Sequence, residues 1–313
     1  MSVTEPGFGW TTTGLYWHQG SAALAASGPD GSDYRVPVAP GTDFGWQAAP
    51  PRRCVGLWRP ATGRRLPCPH RQPIPPGGAG AQCPACAAAD PGRALARDHA
   101  VEDDREFVLY LAWFGGGLFK VGLTAAERGS DRLAEQGALA FTGLARGGWA
   151  PIRGLERQTA AAGLARERIS WPAKIAHWWA LPDPEARRAA LENAHGRIHA
   201  GLSWPDTVRP LPCRVSDQVA AFGLDRPPPA SYRPVLGLRP GSTLAGRTLA
   251  LVGRRLLLNT GAGHVLADLR LLAGWRWPEP ADGPTRDVDL GPTQHPRNGR
   301  DHDPNTNNQD TLF

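Results

Sequence analysis

A glycine cluster between two runs of strand-forming residues restricts this chain more than any other feature. Phe107-Val-Leu-Tyr-Leu-Ala-Trp113 leads into Phe114-Gly115-Gly116-Gly117, and Leu118-Phe-Lys-Val-Gly-Leu-Thr124 follows. Glycine takes the positive-φ conformations that tight turns need, so the pattern predicts a β-hairpin. A loop over Gly115–Gly117 closed by Phe114 and Leu118 fixes every cross-strand pair. Phe107, Leu109, Leu111 and Trp113 then share one face with Phe119, Val121 and Leu123, while Val108, Tyr110 and Ala112 share the other with Lys120, Gly122 and Thr124. The first face is expected to be core. The second carries a phenol, an ammonium and a hydroxyl, and Tyr110 falls opposite Gly122, which offers the phenol nothing larger than a hydrogen.

The chain has 313 residues, enough for two or three small domains. Its 35 Lys plus Arg against 29 Asp plus Glu give a net charge of +6, which tolerates a polyanionic partner without demanding one. The only lysines are Lys120 and Lys174, so a lysine on the hairpin's polar face is a hint of lysine-specific chemistry. Met1–Trp10 has no basic and apolar leader pattern, and no apolar run reaches the ~18 residues of a membrane span. A cytoplasmic location is the expectation.

Four of the five cysteines lie between Cys54 and Cys86, which suits a reduced compartment and a metal better than a disulfide framework. Cys83-Pro-Ala-Cys86 has the gap that lets two thiolates grip one tetrahedral zinc, and Cys54 with Cys68 completes the set. His70, in Pro67-Cys68-Pro69-His70, is an alternative to one cysteine. Four protein ligands leave no open coordination position, so such a site holds a loop-rich module together and does no catalysis. The proline-rich surroundings argue against a redox Cys-x-x-Cys, which wants a strand before it and a helix after it.

The rest divides around these two features. Residues 1–50 read as short strands, including Leu15-Tyr16-Trp17, Tyr34–Val38 and Phe44-Gly45-Trp46. Residues 51–90 form the zinc-binding module, and 87–105 a linker or short helix. After the hairpin, Thr124-Ala-Ala-Glu127 matches a capping box and predicts a helix carrying Arg128 and Arg132, with Gly129 a point of weakness. A third strand is expected over 137–143, then a helix over 152–169 carrying Glu156, then a helical, tryptophan-rich stretch over 175–201 whose aromatics pack. This domain with its helical extension spans 105–205. Cys213 reads as a buried small side chain. Residues 230–277 predict a small antiparallel β-module, and 278–313 a disordered tail. The fold class is α+β and multi-modular.

The order strand, strand, helix, strand, helix, with these residues on it, resembles the GIY-YIG endonuclease superfamily over roughly residues 106–175. Val108-Leu109-Tyr110 stands for its first tripeptide and Lys120-Val121-Gly122 for its second, Arg132 or Arg128 for its arginine, and Glu156 for its metal-binding glutamate. The resemblance implies a three-stranded antiparallel sheet with helices and metal-dependent phosphodiester hydrolysis, linked to DNA repair or replication. In it Tyr110 is the general base, Glu156 holds Mg²⁺ or Mn²⁺, and Arg132 neutralises the phosphate. A phenol with its ordinary pKa of ~10 is a poor base at neutral pH; a nearby cation favours the phenolate, and Lys120 is the candidate. Lys120 replaces the family's second tyrosine, and no asparagine follows Glu156, the region being Ser170-Trp-Pro-Ala-Lys174. The cysteine region followed by Lys-Val-Gly-Leu-Thr and Glu135-Gln-Gly-Ala138 also resembles a bacterial and archaeal domain family of unknown function.

Two other readings stand beside hydrolysis. The same face can bind nucleic-acid phosphates through Lys120, Arg128, Arg132 and Lys174 without cleaving them, or the zinc and β-modules can serve an adaptor. Gln309-Asp-Thr-Leu312-Phe313 resembles the Gln-x-x-Leu-Phe peptide that bacterial repair proteins insert into the DNA sliding clamp, with Leu312 and Phe313 as apolar anchors.

Overall fold

In a computed structural model, residues 9–59, 64–78, 80–90, 104–277 and 283–296 are described. They form two units. One combines the chain up to residue 102 with 231–295, and the other is the intervening 103–230. Together they are mixed α and β, with several small sheets and few helices.

The first unit opens with three antiparallel strands, β1 (Thr11–His18), β2 (Ser21–Ser27) and β3 (Asp33–Pro37). Gln19 and Gly20 both take positive φ between the paired His18 and Ser21, the conformation of a type I′ hairpin turn. Next come β4 (Asp43–Gln47), the small pair β5 (Leu57–Arg59) and β6 (Arg64–Leu66), and the one-turn helix α1 (Pro84–Ala88), whose first residue is the proline of the Cys83–Cys86 pair. The Pro/Gly-rich loop before it is organised by one buried guanidinium. Arg52 donates to the carbonyls of Ala273 at 3.0 Å, Pro75 at 2.6 Å and Gly80 at 3.1 Å, so loop carbonyls that would otherwise need water share one cation.

The second unit is an antiparallel sheet of β7 (Phe107–Trp113), β8 (Phe119–Ala125), β9 (Ala140–Gly147), β10 (Val208–Pro210) and β11 (Ser216–Asp217). Its order is β10-β9-β7-β8, with β11 also on β9. The hairpin register is the one the glycine loop dictates: Phe114 N–H donates to Leu118 O at 3.0 Å, and Tyr110 pairs with Gly122, Ala112 with Lys120 and Val108 with Thr124. The glycines serve packing as well as turning, since a Cβ on Gly115 would lie 2.5 Å from His177 Cβ and one on Gly116 2.6 Å from its ring. Residues beside Arg166 cover the outer edge of β8, with Val121 N–H donating to Arg166 O at 2.9 Å and Arg166 N–H to Phe119 O at 3.0 Å.

The helix expected from the capping box forms differently. Thr124 and Ala125 stay in β8, Ala126–Arg128 makes a single 3-10 turn, Gly129 breaks the chain at φ 48°, and α2 runs only over Asp131–Glu135. The glycine at this point outweighs the capping signal. The longer helix α3 is Trp149–Ala161, with Ile152, Leu155, Glu156 and Thr159 buried along one side. The short α4 (Trp171–Ala176) is capped by Ser170, and α5 (Pro184–Gly201) by Asp183, whose carboxylate accepts from Ala186 N–H at 2.8 Å.

Returning to the first unit, β12 (Arg233–Val252) is one long strand. It is followed by β13 (Arg255–Asn259), β14 (His264–Asp268) and β15 (Arg286–Leu290). The start of β12 pairs in parallel with β14, its end pairs antiparallel with β13, and β13 pairs with β14, so the sheet closes on itself. Gly246 permits this curvature: a Cβ there would meet Asn259 O at 2.3 Å. Trp46, Leu244, Leu251, Leu256, Leu266 and Trp275 are among the residues buried in this unit.

Three expectations are corrected here. The N-terminal segment is not a separate piece from the C-terminal β-module, because β4 pairs with the middle of β12. The β-module is not wholly antiparallel, because the Arg233–Val265 pairing is parallel. Part of the expected disordered tail is strand: Arg286–Leu290 alternates apolar residues as Arg-Asp-Val-Asp-Leu and adds to β12, a partner that local polarity does not reveal. No helix among the described residues is long and apolar enough to cross a membrane.

Candidate functional site

The polar face of the hairpin is covered. Tyr110, only 2 % exposed, clusters with Ala112, Phe114, Leu118, Leu133 and Ala138, and Ile169 and Ala173 pack on the same group. The expectation that one face is core and the other working surface is therefore corrected: α2 and the segment leading into α4 lie over the second face. The phenol keeps its polar end satisfied. Its oxygen accepts from Gln136 Nε2 at 2.8 Å and from Lys120 Nζ at 3.2 Å, and Lys120 also donates to Val121 O at 3.2 Å. Lys120 itself is half-exposed.

Glu156 is 6 % exposed on α3 and forms an ion pair with Arg153, which also reaches Glu167 at 3.4 Å. Burial pushes the Glu156 carboxyl above the ordinary carboxylate range, while the hydrogen bond and charge of Arg153, and then the charge of Lys120, pull it back. Lys120 is thus the group that links phenol and carboxylate, touching the first and acting on the second through its charge.

The remaining predicted residues fall elsewhere. Arg128 and Arg132 are 44 % and 46 % exposed, and both pair with Glu135, at 2.6 and 3.3 Å. Lys174 corrects the expectation of a phosphate-binding surface cation. It is 5 % exposed, donates to Gln136 O at 2.8 Å, and its ammonium lies 4.1 Å from the Phe114 ring centre and 4.7 Å from that of Trp171. A carbonyl and two aromatic faces replace its water. Lys174 and Tyr110 are joined through Gln136, a residue that carried no catalytic signal of its own. Trp178 is buried, as packing requires, and Cys213 is half-buried. Gln309, Leu312 and Phe313 lie outside the described residues.

In the first unit, the sulfurs of Cys54, Cys68, Cys83 and Cys86 all lie within 4.8 Å of one another, and all four residues are buried. His70 is exposed, and it is its backbone N–H that faces Cys68. The donor set is four sulfurs. Each of two loops wraps a sulfur with backbone N–H groups: Gly56 and Cys83 donate to Cys54 Sγ at 3.4 and 3.2 Å, and Gln72 and His70 donate to Cys68. Burial pushes the Cys68 thiol up, but those two N–H groups together with hydrogen bonds from Cys54 and Cys86 outweigh it and bring the pKa to about 7. Burial pushes Cys54 and Cys86 up. Four buried sulfurs within 4.8 Å of one another, two of them wrapped by N–H donors, match the needs of a tetrahedral metal.

A sequence model of one domain family matches residues 83–277, well over half of the chain. The chain belongs to the family described as protein of unknown function, DUF2797. The DUF2797 match begins at Cys83 and so takes in Cys83, Cys86, the hairpin, α2–α5 and the strands through β14, while Cys54 and Cys68 precede it. No curated protein and no solved structure matches the chain.

Proposed function

We propose that the hairpin unit of this DUF2797 protein binds nucleic-acid phosphates, and that its nuclease-like residues serve the fold and the binding surface rather than hydrolysis. One observation carries this reading. The accessible members of the constellation, Lys120, Arg128 and Arg132, are all cations, whereas the phenol and carboxylate that hydrolysis would bring to substrate or metal are shut in. Glu156, the residue that would hold Mg²⁺ or Mn²⁺ in a GIY-YIG-like site, already has Arg153 as its counter-ion. The cysteine cluster, in this reading, holds one structural Zn²⁺ through Cys54, Cys68, Cys83 and Cys86, which fixes the loops around it and supplies no catalysis.

Hydrolysis remains the second reading because the Tyr110 oxygen accepts hydrogen bonds from Gln136 and from the Lys120 ammonium. That leaves the phenol proton uncommitted in either bond, as a general base or acid requires. The C-terminal Gln309-x-x-Leu312-Phe313 is proposed as a clamp-binding peptide on its sequence alone. Its deletion should remove co-purification with the sliding clamp.

The test is fluorescence anisotropy with labelled single-stranded, flapped and branched DNA across a salt series, paired with cleavage gels in Mg²⁺ and Mn²⁺. Three phosphate contacts to a single strand give a log–log salt slope of roughly −2, and Arg128→Ala should lower it by about 0.7. Binding that ignores salt and survives loss of Lys120 and Arg128 would sink the proposal. Metal-dependent cleavage that vanishes in Tyr110→Phe and Glu156→Gln would establish the hydrolytic reading instead.

A further inference from the structure

Arg166 pairs with Lys120 across the outer edge of the hairpin. The two residues form a parallel bridge, with Arg166 N–H on Phe119 O at 3.0 Å and Val121 N–H on Arg166 O at 2.9 Å. Bridged residues carry their side chains on the same face of a sheet and start about 4.8 Å apart, so an ammonium and a guanidinium stand side by side there. We infer that Lys120 and Arg166 hold one nucleic-acid phosphate between them. The inference rests on the phosphate-binding reading of the hairpin unit and names the contact at its centre.

Both side chains keep donors for an oxyanion. A lysine ammonium has three N–H donors and no acceptor. Two are spent inside the protein, on the Tyr110 and Val121 oxygens, both at 3.2 Å, which steadies the ammonium and leaves one donor over. Arg166 is exposed, and among the described residues its guanidinium makes no ion pair. The carboxylates that could compete have other partners. Glu167, next in sequence, reaches Arg153 at 3.4 Å, Glu156 is paired with Arg153 as well, and Glu135 takes Arg128 and Arg132. Arg128 and Arg132 must give up that carboxylate to meet a phosphate, whereas Lys120 and Arg166 give up only water. The bridge lies toward the glycine-loop end of the hairpin, while the described residues of this unit begin at 104, beside Phe107 at the other end. A planar guanidinium fork beside a compact ammonium meets the oxygens of one phosphate from two directions. In this arrangement the buried Tyr110 is a positioning residue, because its phenol oxygen anchors the ammonium beside Arg166.

The test is a double-mutant cycle on the full-length, metal-loaded protein, read by fluorescence anisotropy with a labelled single-stranded oligonucleotide across a salt series. Lys120→Gln and Arg166→Gln should each weaken binding by about fivefold or more. The double variant should fall well short of the product of the two losses, because a shared phosphate is lost once. Its log–log salt slope should drop by about 0.7, the value for one phosphate on a single strand, and not by the roughly 1.4 of two separate phosphates. Arg188→Gln, at the exposed start of α5, should change neither quantity. Melting temperatures measured on each variant separate lost contacts from lost fold. Multiplying losses, wild-type binding by folded Arg166→Gln protein, or an equal loss in Arg188→Gln would overturn the clamp while leaving salt-sensitive binding, and with it the broader reading, in place. Absence of salt-sensitive binding in the wild type would sink both. Oligonucleotides with and without a 5′-phosphate assign the source: equal affinity marks an internal phosphodiester, and tighter binding of the phosphorylated strand marks a terminal phosphate.

Discussion

The phenol oxygen of Tyr110 occupies the space that a side chain on Gly122 would need: a Cβ there would lie 2.3 Å from that oxygen and 2.7 Å from Lys120 Nζ. Glycine at this position is what lets phenol and ammonium meet across the ladder. Gly122 does not have positive φ, so alanine there adds crowding without backbone strain. Gly122→Ala should lower stability by about 1–3 kcal/mol, the range for overpacking a filled interior. Urea unfolding monitored by tryptophan fluorescence checks it, and a loss under 0.5 kcal/mol would contradict the packing described.

Glu156 and Arg153 make stability depend on pH. The folded carboxyl is raised above its unfolded value, so the stability it contributes is fully present below the ordinary carboxylate range and is lost as pH rises through the raised folded value. Glu156→Gln should therefore gain on the wild type between pH 4 and pH 8. Arg153→Met removes the counter-ion from a buried charge and should cost on the order of 3 kcal/mol at pH 8, and clearly less at pH 4, where the carboxyl takes a proton instead. Parallel unfolding curves at the two pH values decide it.

Native mass spectrometry should find one zinc per chain, lost on substitution of any one of Cys54, Cys68, Cys83 or Cys86 by serine. His70→Ala should retain the metal, since the imidazole is outside the sulfur cluster. Loss of zinc from His70→Ala would place the histidine back among the ligands.

The hairpin register was legible because a glycine loop and a period-2 pattern are local and leave one solution, Tyr110 opposite Gly122. The cysteine cluster was legible from the Cys83–Cys86 gap and the scarcity of other cysteines. What covers the hairpin was not. Leu133 and Ala173 come from elements separated from β7 in sequence, so the burial of Tyr110, and with it the change of Lys174 from surface cation to interior brace, depends on tertiary packing that no local pattern encodes. The same holds for the pairing of β4 with β12. The helix after Thr124 failed for a nearer reason, a glycine that overrode a capping signal.

The reach of Arg52 to the carbonyl of Ala273 has a consequence for biosynthesis. The cysteine loops emerge from the ribosome early, but the acceptor that helps hold their guanidinium, and the strand that receives β4, arrive only after residues 103–230 have been made. The unit translated in between has all its own strands and can complete first. A nascent chain stalled at residue 230 would hold all four cysteines but neither the Ala273 carbonyl that Arg52 reaches nor the strand that receives β4, so the loops around the sulfurs are finished only when the last strands have been made.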